Sequence, residues 1–237
     1  MSLAGAPIAR PQIILWELAG RDADLRFSPY CWRTRLALAH KGLAFETRPW
    51  RFGDPAPEPA SGPAQVPTLR DGERVVIDSW AIAEYLDGAY PDRPRLNAGP
   101  HARFINAWAD TILDPAISRL IASDISPLLT EASAAYFVTA LEQAFGMTLA
   151  EATADREERV AAFRALLAPV RRMLRTQPWL GGAAPDYADD VLGGTLMWPR
   201  CVSRFALLAG DDPVSEWFAR LGRLFGGLLE TAPRAAA

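Results

Sequence analysis

A proline-rich segment at residues 91–100 divides this chain into two parts with different sequence patterns. The segment carries three prolines and a glycine, a composition typical of a linker. Before it, short apolar runs alternate with helical periodicity, which indicates a small α/β unit. After it, strand signals disappear and alanine, leucine and arginine dominate, so helices are predicted. We therefore expect two domains, at residues 11–92 and 100–233, with the fold class α+β followed by all-α.

The composition limits the classes of function. The chain has 237 residues, of which 50% are hydrophobic, enough to form the cores of two domains. Its formal net charge of -3 gives no sign of a surface for nucleic acid or for an anionic membrane. No apolar run approaches about 20 residues and no signal-peptide pattern precedes the first domain, so we expect a cytoplasmic protein with a loose leader at residues 1–10. Cys31 and Cys201 lack metal-ligand spacing, so no metal site is predicted.

The first part predicts strands and helices in mixed order. The predicted elements are a strand at 12–16, a helix at 28–42, a strand at 45–50, a β-hairpin at 66–77 that turns at Asp71-Gly72, and a helix at 78–90. Between the second strand and the hairpin, Pro55, Pro57, Pro59, Gly62 and Pro63 predict a loop over the functional site.

The second part predicts helices only. They are expected at about 102–122, 127–146, 155–177, 187–209 and 213–230. Pro115, Pro169 and Pro199 are expected to kink or interrupt three of them, because proline lacks the amide hydrogen that a helix interior needs.

Ser28 carries the strongest local signal for function. Serine is a preferred helix N-cap, Pro29 suits the first helical position, and Gly42 stands where a C-terminal glycine is expected. The amides exposed at such an N-terminus, together with the helix dipole, favour an anion such as a thiolate beside the Ser28 hydroxyl. The alternative is that Ser28 only caps the helix.

Five sequence phrases occur in order along the chain. They are Ser28-Pro29-Tyr30-Cys31-Trp32-Arg33-Thr34-Arg35; Val66-Pro67; Asp78-Ser79-Trp80-Ala81-Ile82-Ala83-Glu84-Tyr85-Leu86-Asp87 with Tyr90-Pro91-Asp92-Arg93-Pro94; Trp179-Leu180-Gly181-Gly182; and Pro185-Asp186-Tyr187-Ala188-Asp189. With them, the chain resembles the glutathione transferase family, and within it the bacterial glutathione-dependent β-etherases and the related fungal serine-type transferases. The resemblance implies a thioredoxin-like N-terminal domain, a C-terminal helical-bundle domain and glutathione as co-substrate.

The resemblance also implies a glutathione site in the first domain. Ser28 would donate a hydrogen bond to the glutathione sulfur and stabilise the thiolate, so that glutathione itself is the nucleophile. Pro67 would be a cis-proline that turns the Val66 backbone toward the extended tripeptide, with Gln65 at its glycyl end. From the residues alone, an ordinary trans proline at the start of a strand stays open.

The second predicted helix would complete this site. Asp78 would receive the α-ammonium group of the γ-glutamyl residue, and Ser79 with the helix amides would bind its α-carboxylate. Both residues are also good helix caps, so a purely structural role stays open. A hydrophobic electrophile would lie between the domains, and its predicted pocket residues are Pro29, Tyr30, Trp108 and Trp198. A homodimer is expected from the resemblance.

Three hypotheses for the activity follow. The first is a serine-type glutathione transferase acting on an aromatic or other hydrophobic electrophile, in its most specific form by β-aryl ether cleavage. The second is a glutathione-binding protein of the same fold with negligible turnover. The third is thiol–disulfide exchange through Cys31, against which the serine at position 28 argues; a buried, unreactive Cys31 is the alternative. Asp186 and Asp189 form a variant of the capping box, and we assign them to folding.

Overall fold

The computed structural model describes residues 13–58 and 64–235. The predicted leader, the strand residue Gln12 and loop residues 59–63 lie outside the described residues. The N-terminal part holds a four-stranded sheet with the order β2-β1-β3-β4. The strands are β1 (Ile13–Leu18), β2 (Phe45–Trp50), β3 (Thr68–Asp71) and β4 (Arg74–Ile77). β1 pairs in parallel with β2 and antiparallel with β3, so the sheet is mixed.

Two helices accompany the sheet. Helix α1 (Pro29–His40) connects the parallel strands β1 and β2, and α2 (Ser79–Ala89) follows β4. This is the thioredoxin-like arrangement that the resemblance implies, and the predicted positions of both helices are correct to within about two residues. The hairpin turn falls one residue later than expected, because Asp71 pairs with Arg74 and leaves Gly72 and Glu73 in the turn. Gly72 has a φ of 57°, which glycine adopts without strain.

Strand β1 lies at the centre of the sheet and is buried along its whole length. This burial includes Glu17, whose side chain is fully inaccessible. Arg35 on α1 donates to Glu17 through Nε over 3.0 Å and through a second, shorter hydrogen bond. A buried carboxylate requires such a partner. The pair therefore fixes α1 against the sheet.

Within residues 101–235, every regular element is a helix, as predicted. The helices are α3 (Pro100–Trp108), α4 (Asp114–Ile125), α5 (Glu131–Phe145), α6 (Leu149–Thr153), α7 (Arg156–Leu166), α8 (Ala168–Leu174), α9 (Tyr187–Val202) and α10 (Pro213–Gly222). The exact domain boundaries at residues 92 and 100 stay a prediction.

Proline explains where the predicted helices of this domain break. The helix predicted at 102–122 consists of α3 and α4 separated by a π-helical turn at Ala109–Leu113. That turn ends two residues before Pro115, which has no amide hydrogen to continue the α-helical pattern. The helix predicted at 155–177 is two helices, with Pro169 in the first turn of the second. Pro199 lies inside α9, and this helix ends at Val202 rather than at residue 209.

The other predicted helix ends were wrong for local reasons. The helix predicted from residue 127 begins at Glu131, because Thr130 caps it and a 3-10 turn occupies Ser126–Leu128. The helix predicted to reach residue 230 ends at Gly222, before Phe225, which has a positive φ of 53°. The short helix α6 was missed, although Thr148 and Glu151 form a capping box at its start.

Helix α9 packs directly against α1, and Gly194 is the point of closest approach. A Cβ atom on Gly194 would lie 2.6 Å from the Arg33 amide nitrogen and 2.8 Å from the Pro29 carbonyl oxygen. Both neighbours are backbone atoms of α1, so they can only yield if the helix moves. Any side chain at position 194 would therefore displace the helix that begins beside Ser28.

We expect Gly194→Ala to lower the free energy of unfolding by about 1–3 kcal/mol, the usual cost of overpacking a buried contact. Urea denaturation followed by tryptophan fluorescence measures this. The matched control is Gly88→Ala in α2, where, apart from the backbone of the helix itself, no described atom lies within 4 Å of the new Cβ. Alanine there should leave stability unchanged or slightly raised, since alanine favours helix over glycine. Equal destabilisation of the two variants would contradict the close-contact explanation.

Candidate functional site

A cavity of about 530 Å³ lies between the sheet domain and the helical domain. Its wall comprises the start of α1, the segment before β3, and residues of α4, α5 and α9. The lining residues are Leu18, Phe27, Ser28, Pro29, Tyr30, Trp50, Phe52, Ala64, Gln65, Val66, Asp110, Asp114, Pro115, Ser118, Tyr136, Phe137, Leu141, Phe145 and Trp198. Most of them are apolar or aromatic, which is typical of a small-molecule site with a few polar groups.

Ser28 stands on this wall at the N-cap of α1. Its side chain is 6% exposed, and its Oγ accepts a hydrogen bond from the Cys31 amide over 3.4 Å. The Ser28 hydroxyl also forms a hydrogen bond with the Cys31 side chain, which acts to lower the pKa of that thiol against the larger effect of burial. The first-turn amides and the helix dipole favour negative charge beside the hydroxyl.

Cys31 lies one turn further along α1, away from solvent. Its side chain is 0% exposed, and burial raises the pKa of its thiol to about 12. A thiol with such a pKa is protonated at neutral pH, and only the thiolate attacks a disulfide. The geometry thus gives no support to thiol–disulfide exchange at this position.

The segment before β3 forms a second part of the site. The peptide bond between Val66 and Pro67 is cis, the isomer that the resemblance predicts. Gln65 and Val66 line the cavity together with Ser28. Thr68 Oγ1 donates to the Gln65 carbonyl over 2.6 Å and fixes the bend of the chain. Pro67 itself is buried beneath the cavity wall.

Asp78 holds this segment to the start of α2. Its amide donates to the Pro67 carbonyl over 3.2 Å, and its Oδ1 accepts from the amides of Trp80 and Ala81. Its φ is 83° and its ψ is 134°, a conformation that costs a non-glycine residue on the order of 1–3 kcal/mol. Such strained residues cluster at ligand-binding sites. Asp78 is also exposed, so ligands can reach it.

Ser79 follows in the first turn of α2 and is 3% exposed. Its carbonyl accepts a hydrogen bond from the Tyr187 hydroxyl over 2.8 Å, which ties α2 to α9. Pro67, Asp78 and Ser79 do not contribute to the lining of the cavity, but lie beside it. The structure therefore brings Ser28, Gln65 and Val66 together directly and places the other three residues next to them.

A group of polar residues missed by the sequence analysis crosses the cavity wall opposite this segment. Arg33, wholly buried on α1, donates to Asp110 Oδ1 over 2.6 Å and to Asp114 Oδ2 over 3.1 Å. It also donates to Thr195 on α9 over 2.9 Å. Asp110, Asp114 and Ser118 recur at every fourth residue and line the cavity. That spacing was the available signal, since such residues share one helix face.

Burial dominates the electrostatics of this group. It raises the pKa of Asp114 to about 6, with Arg33 acting in the opposite direction and Asp110 adding to the rise. Burial, followed by the charge of Asp114, raises the pKa of Tyr30 to about 12. The Tyr30 phenol therefore stays protonated at neutral pH, whereas the Asp114 carboxyl changes its charge in mildly acidic solution.

Aromatic side chains form most of the remaining wall. Pro29, Tyr30 and Trp198 line the cavity as predicted, but Trp108 does not. It is half-buried and packs against the core, because the π-helical turn after it changes which face of the helix meets the cavity. The aromatic residues of α5 and of the segment after β2 were missed; among them, Phe52 and Tyr136 stack with their ring centroids 5.2 Å apart.

Comparison with known proteins identifies relatives for both parts of the chain. The model of the glutathione S-transferase N-terminal domain matches residues 23–94, and that of the C-terminal domain matches residues 100–212. Glutathione S-transferase Z2 of Arabidopsis thaliana is 38% identical over 86 residues, which cover 34% of this chain and 39% of that protein. The chain spans about two fifths of the length of the first curated relatives it matches.

Solved structures share the fold over nearly the whole chain. A glutathione S-transferase of Ceriporiopsis subvermispora, solved in complex with glutathione, has a TM-score of 0.76 at 23% identity. The match covers 94% of this chain and 99% of that transferase. The β-etherase LigF of Sphingobium sp. strain SYK-6 has a TM-score of 0.63 at 17% identity. The match covers 92% of this chain and 98% of LigF. At such identities the likeness establishes the fold. None of the helices in residues 13–58 and 64–235 has the length and apolar character needed to cross a membrane.

Proposed function

Because the chain belongs to the glutathione S-transferase family, we propose that it binds glutathione with the sulfur beside Ser28 and transfers it to a hydrophobic electrophile in the cavity. The observation that carries this proposal is the position of the Ser28 hydroxyl, which caps a helix N-terminus on the wall of an apolar cavity. A hydrogen-bond donor at that position favours the charged form of a bound thiol.

The size of this effect matches what the reaction needs. A free glutathione thiol has a pKa of about 8.5, so only a few per cent is thiolate at pH 7. A hydrogen bond to a charged group contributes about 1.5–3 kcal/mol, equivalent to a shift of one to two pKa units. The amides and dipole of α1 act in the same direction. The thiolate then becomes the main form at neutral pH.

The rest of the tripeptide is proposed to lie along the segment before β3. The Val66 backbone, held at the cis bond before Pro67, would pair with the extended peptide, and Gln65 would contact its glycyl end. The start of α2 would bind the γ-glutamyl group through the Ser79 region and the exposed Asp78 carboxylate. The strained backbone at Asp78 supports a ligand-binding role.

The electrophile is proposed to be aromatic, because the cavity wall is rich in aromatic side chains. The most specific form of the proposal is β-aryl ether cleavage. The thiolate attacks the β carbon, a carbon–sulfur bond forms, the carbon–oxygen bond breaks, and the aryloxide leaves with the electron pair. Likeness in fold to LigF, a β-etherase by name, supports testing this reaction first.

Ser28→Ala is expected to lower the rate of glutathione conjugation at pH 7 by about tenfold to a hundredfold, because the thiolate loses one charge-assisted hydrogen bond. The assay combines purified protein and glutathione with a panel of aryl ethers and aryl halides. Retention on immobilised glutathione should persist in the variant, since the other contacts remain.

Thr130→Ala is the matched control for this variant. Thr130 caps α5 and accepts from the Ser133 amide over 3.4 Å, the same kind of contact that Ser28 makes. It does not line the cavity, so its loss should affect stability slightly and conjugation very little. Failure of the wild type to bind glutathione would overturn the proposal. Binding without turnover of any substrate would favour a glutathione-binding protein over a transferase.

We further propose a cytoplasmic homodimer, as family membership leads us to expect. Light scattering after size-exclusion chromatography measures the oligomeric state.

A further inference from the structure

A second cavity, with a volume of about 420 Å³, lies between the end of α9, the loop that follows it and α10. It shares no lining residue with the cavity beside Ser28. Three arginines line it, Arg200, Arg204 and Arg234, and its described wall contains no aspartate or glutamate. We call it the arginine-lined cavity. A concave surface with a surplus of positive charge attracts anions.

No carboxylate in the described part of the chain forms an ion pair with these three arginines. Arg200 donates to the backbone carbonyls of Glu230 and Ala232, and Arg234 donates to the carbonyl of Arg200 over 3.0 Å. Arg204 makes no hydrogen bond to any described residue. Burial lowers the pKa of Arg200, and the charge of Arg234 acts in the same direction while that of Glu230 opposes it. The guanidinium groups therefore repel one another without a full countercharge.

The end of helix α9 accounts for only part of this charge. A helix C-terminus carries the equivalent of about half a negative charge, which favours a cation beside it. Arg200 lies in the last turn of α9, and Arg234 donates to a carbonyl of that turn. Three full positive charges exceed the half charge severalfold. An anion is therefore needed to balance the remainder.

The arginine-lined cavity has an apolar interior and a cationic rim. Leu196 and Leu207 are only 2% and 6% exposed, and Phe218 is half-buried. Arg204 and Arg234, in contrast, are exposed at the protein surface. A ligand that matches both parts has an apolar body and an anionic head.

We propose that the arginine-lined cavity binds an amphipathic organic anion, a molecule with a carboxylate or sulfonate head on an apolar body. The head accepts hydrogen bonds from the guanidinium groups at the rim, which suit planar or forked oxygen acceptors. The body packs against the two leucines and Phe218 and is removed from water. This site does not depend on the proposed glutathione chemistry, because the two cavities have separate walls.

The first test compares the affinities of naphthalene-2-sulfonate and naphthalene-2-sulfonamide, measured by isothermal titration calorimetry at pH 7.5 without glutathione. The two probes share an aromatic body, but only the sulfonate is charged. The wild type should bind the sulfonate more tightly by about tenfold or more, the usual effect of a hydrogen bond to a charged group. Equal affinities would overturn the proposal.

Methanesulfonate tests the apolar interior, since it carries the same head on a single methyl group. It should bind at least about tenfold more weakly than naphthalene-2-sulfonate, because it buries far less apolar surface. Equal affinities of these two anions would show that the rim attracts anions without use of the cavity, and would overturn the proposal.

Arg204→Glu locates the bound anion. The residue is exposed and makes no contact that the fold needs, so circular dichroism should show an intact protein. The affinity for naphthalene-2-sulfonate should fall by about tenfold or more, because a carboxylate then repels the head and pairs with the remaining arginines. The affinity for the neutral sulfonamide should change by about twofold or less.

Arg172→Glu is the matched control. Arg172 is exposed on α8 and lines neither this cavity nor the one beside Ser28, while its substitution changes the net charge by the same amount. Its affinity for the sulfonate should stay within about twofold of the wild type. An unchanged affinity in Arg204→Glu, or equal losses in the two variants, would place the anion elsewhere and overturn the proposal.

Discussion

Replacement of Asp189 by alanine is expected to lower the free energy of unfolding by about 4 kcal/mol or more, because each buried donor left without an acceptor costs about 1–3 kcal/mol. Asp189 is fully buried at the start of α9 and accepts four hydrogen bonds. The donors are the amides of Leu180, Gly181 and Asp186 and the indole nitrogen of Trp217, at 2.8–3.2 Å. Alanine satisfies none of them. A loss of this size is a large part of the stability of a typical domain.

Urea denaturation followed by circular dichroism measures this loss. The matched control is Asp186→Ala at the N-cap of the same helix, where the carboxylate accepts from the Ala188 amide over 2.8 Å. Losing that cap should cost only about 1 kcal/mol. Equal losses for the two variants would show that Asp189 acts as an ordinary first-turn residue. The difference between them is the contribution of the loop and tryptophan donors.

Arg33→Leu is expected to lower the free energy of unfolding by about 3–5 kcal/mol. The substitution leaves Asp114 buried without its countercharge, and removing one partner of a buried ion pair has a cost of that order. Arg33 is 0% exposed and joins α1 to the π-helical turn, α4 and α9. Its loss removes the contacts that hold the Ser28 helix against the second domain. Conjugation activity should therefore fall together with stability.

The matched control for this variant is Arg48→Leu. Arg48 pairs with Glu46 over 3.1 Å, but the two side chains are 42% and 41% exposed. An exposed pair contributes at most about 1 kcal/mol, so the control should be nearly as stable as the wild type. A small loss for Arg33→Leu, similar to that of the control, would mean that the buried group does not hold the domains together.

Local sequence signals located the elements of the first domain well. Helix α1 begins and ends within two residues of the prediction because Ser28, Pro29 and Gly42 are each strong signals in themselves. The β-hairpin followed from short-range patterns, and the fold class followed from those patterns and from the resemblance. The assignment of Asp186 and Asp189 to folding agrees with their observed capping box.

The parts that sequence reasoning missed depend on contacts between distant residues. Asp110 and Asp114 were not singled out, because Arg33, which makes them part of the site, lies 77 and 81 residues away along the chain. The face of a helix that meets the cavity also depends on the π-helical turn, which no simple periodicity predicts. This is why Trp108 was assigned to the pocket and the aromatic residues of α5 were not. Helix ends in the second domain failed for a different, local reason, because prolines and caps such as Thr130 decide where those helices break and begin.

The central claim is that Ser28 stabilises the thiolate of bound glutathione. The most direct measurement is the pKa of that thiol, obtained from the ultraviolet absorbance of the thiolate as a function of pH in the protein–glutathione complex. We expect a value at least about one unit below the free value of about 8.5 in the wild type and in Thr130→Ala, and a return toward the free value in Ser28→Ala. A bound thiol that titrates like free glutathione, or a value unchanged by Ser28→Ala, would contradict the claim.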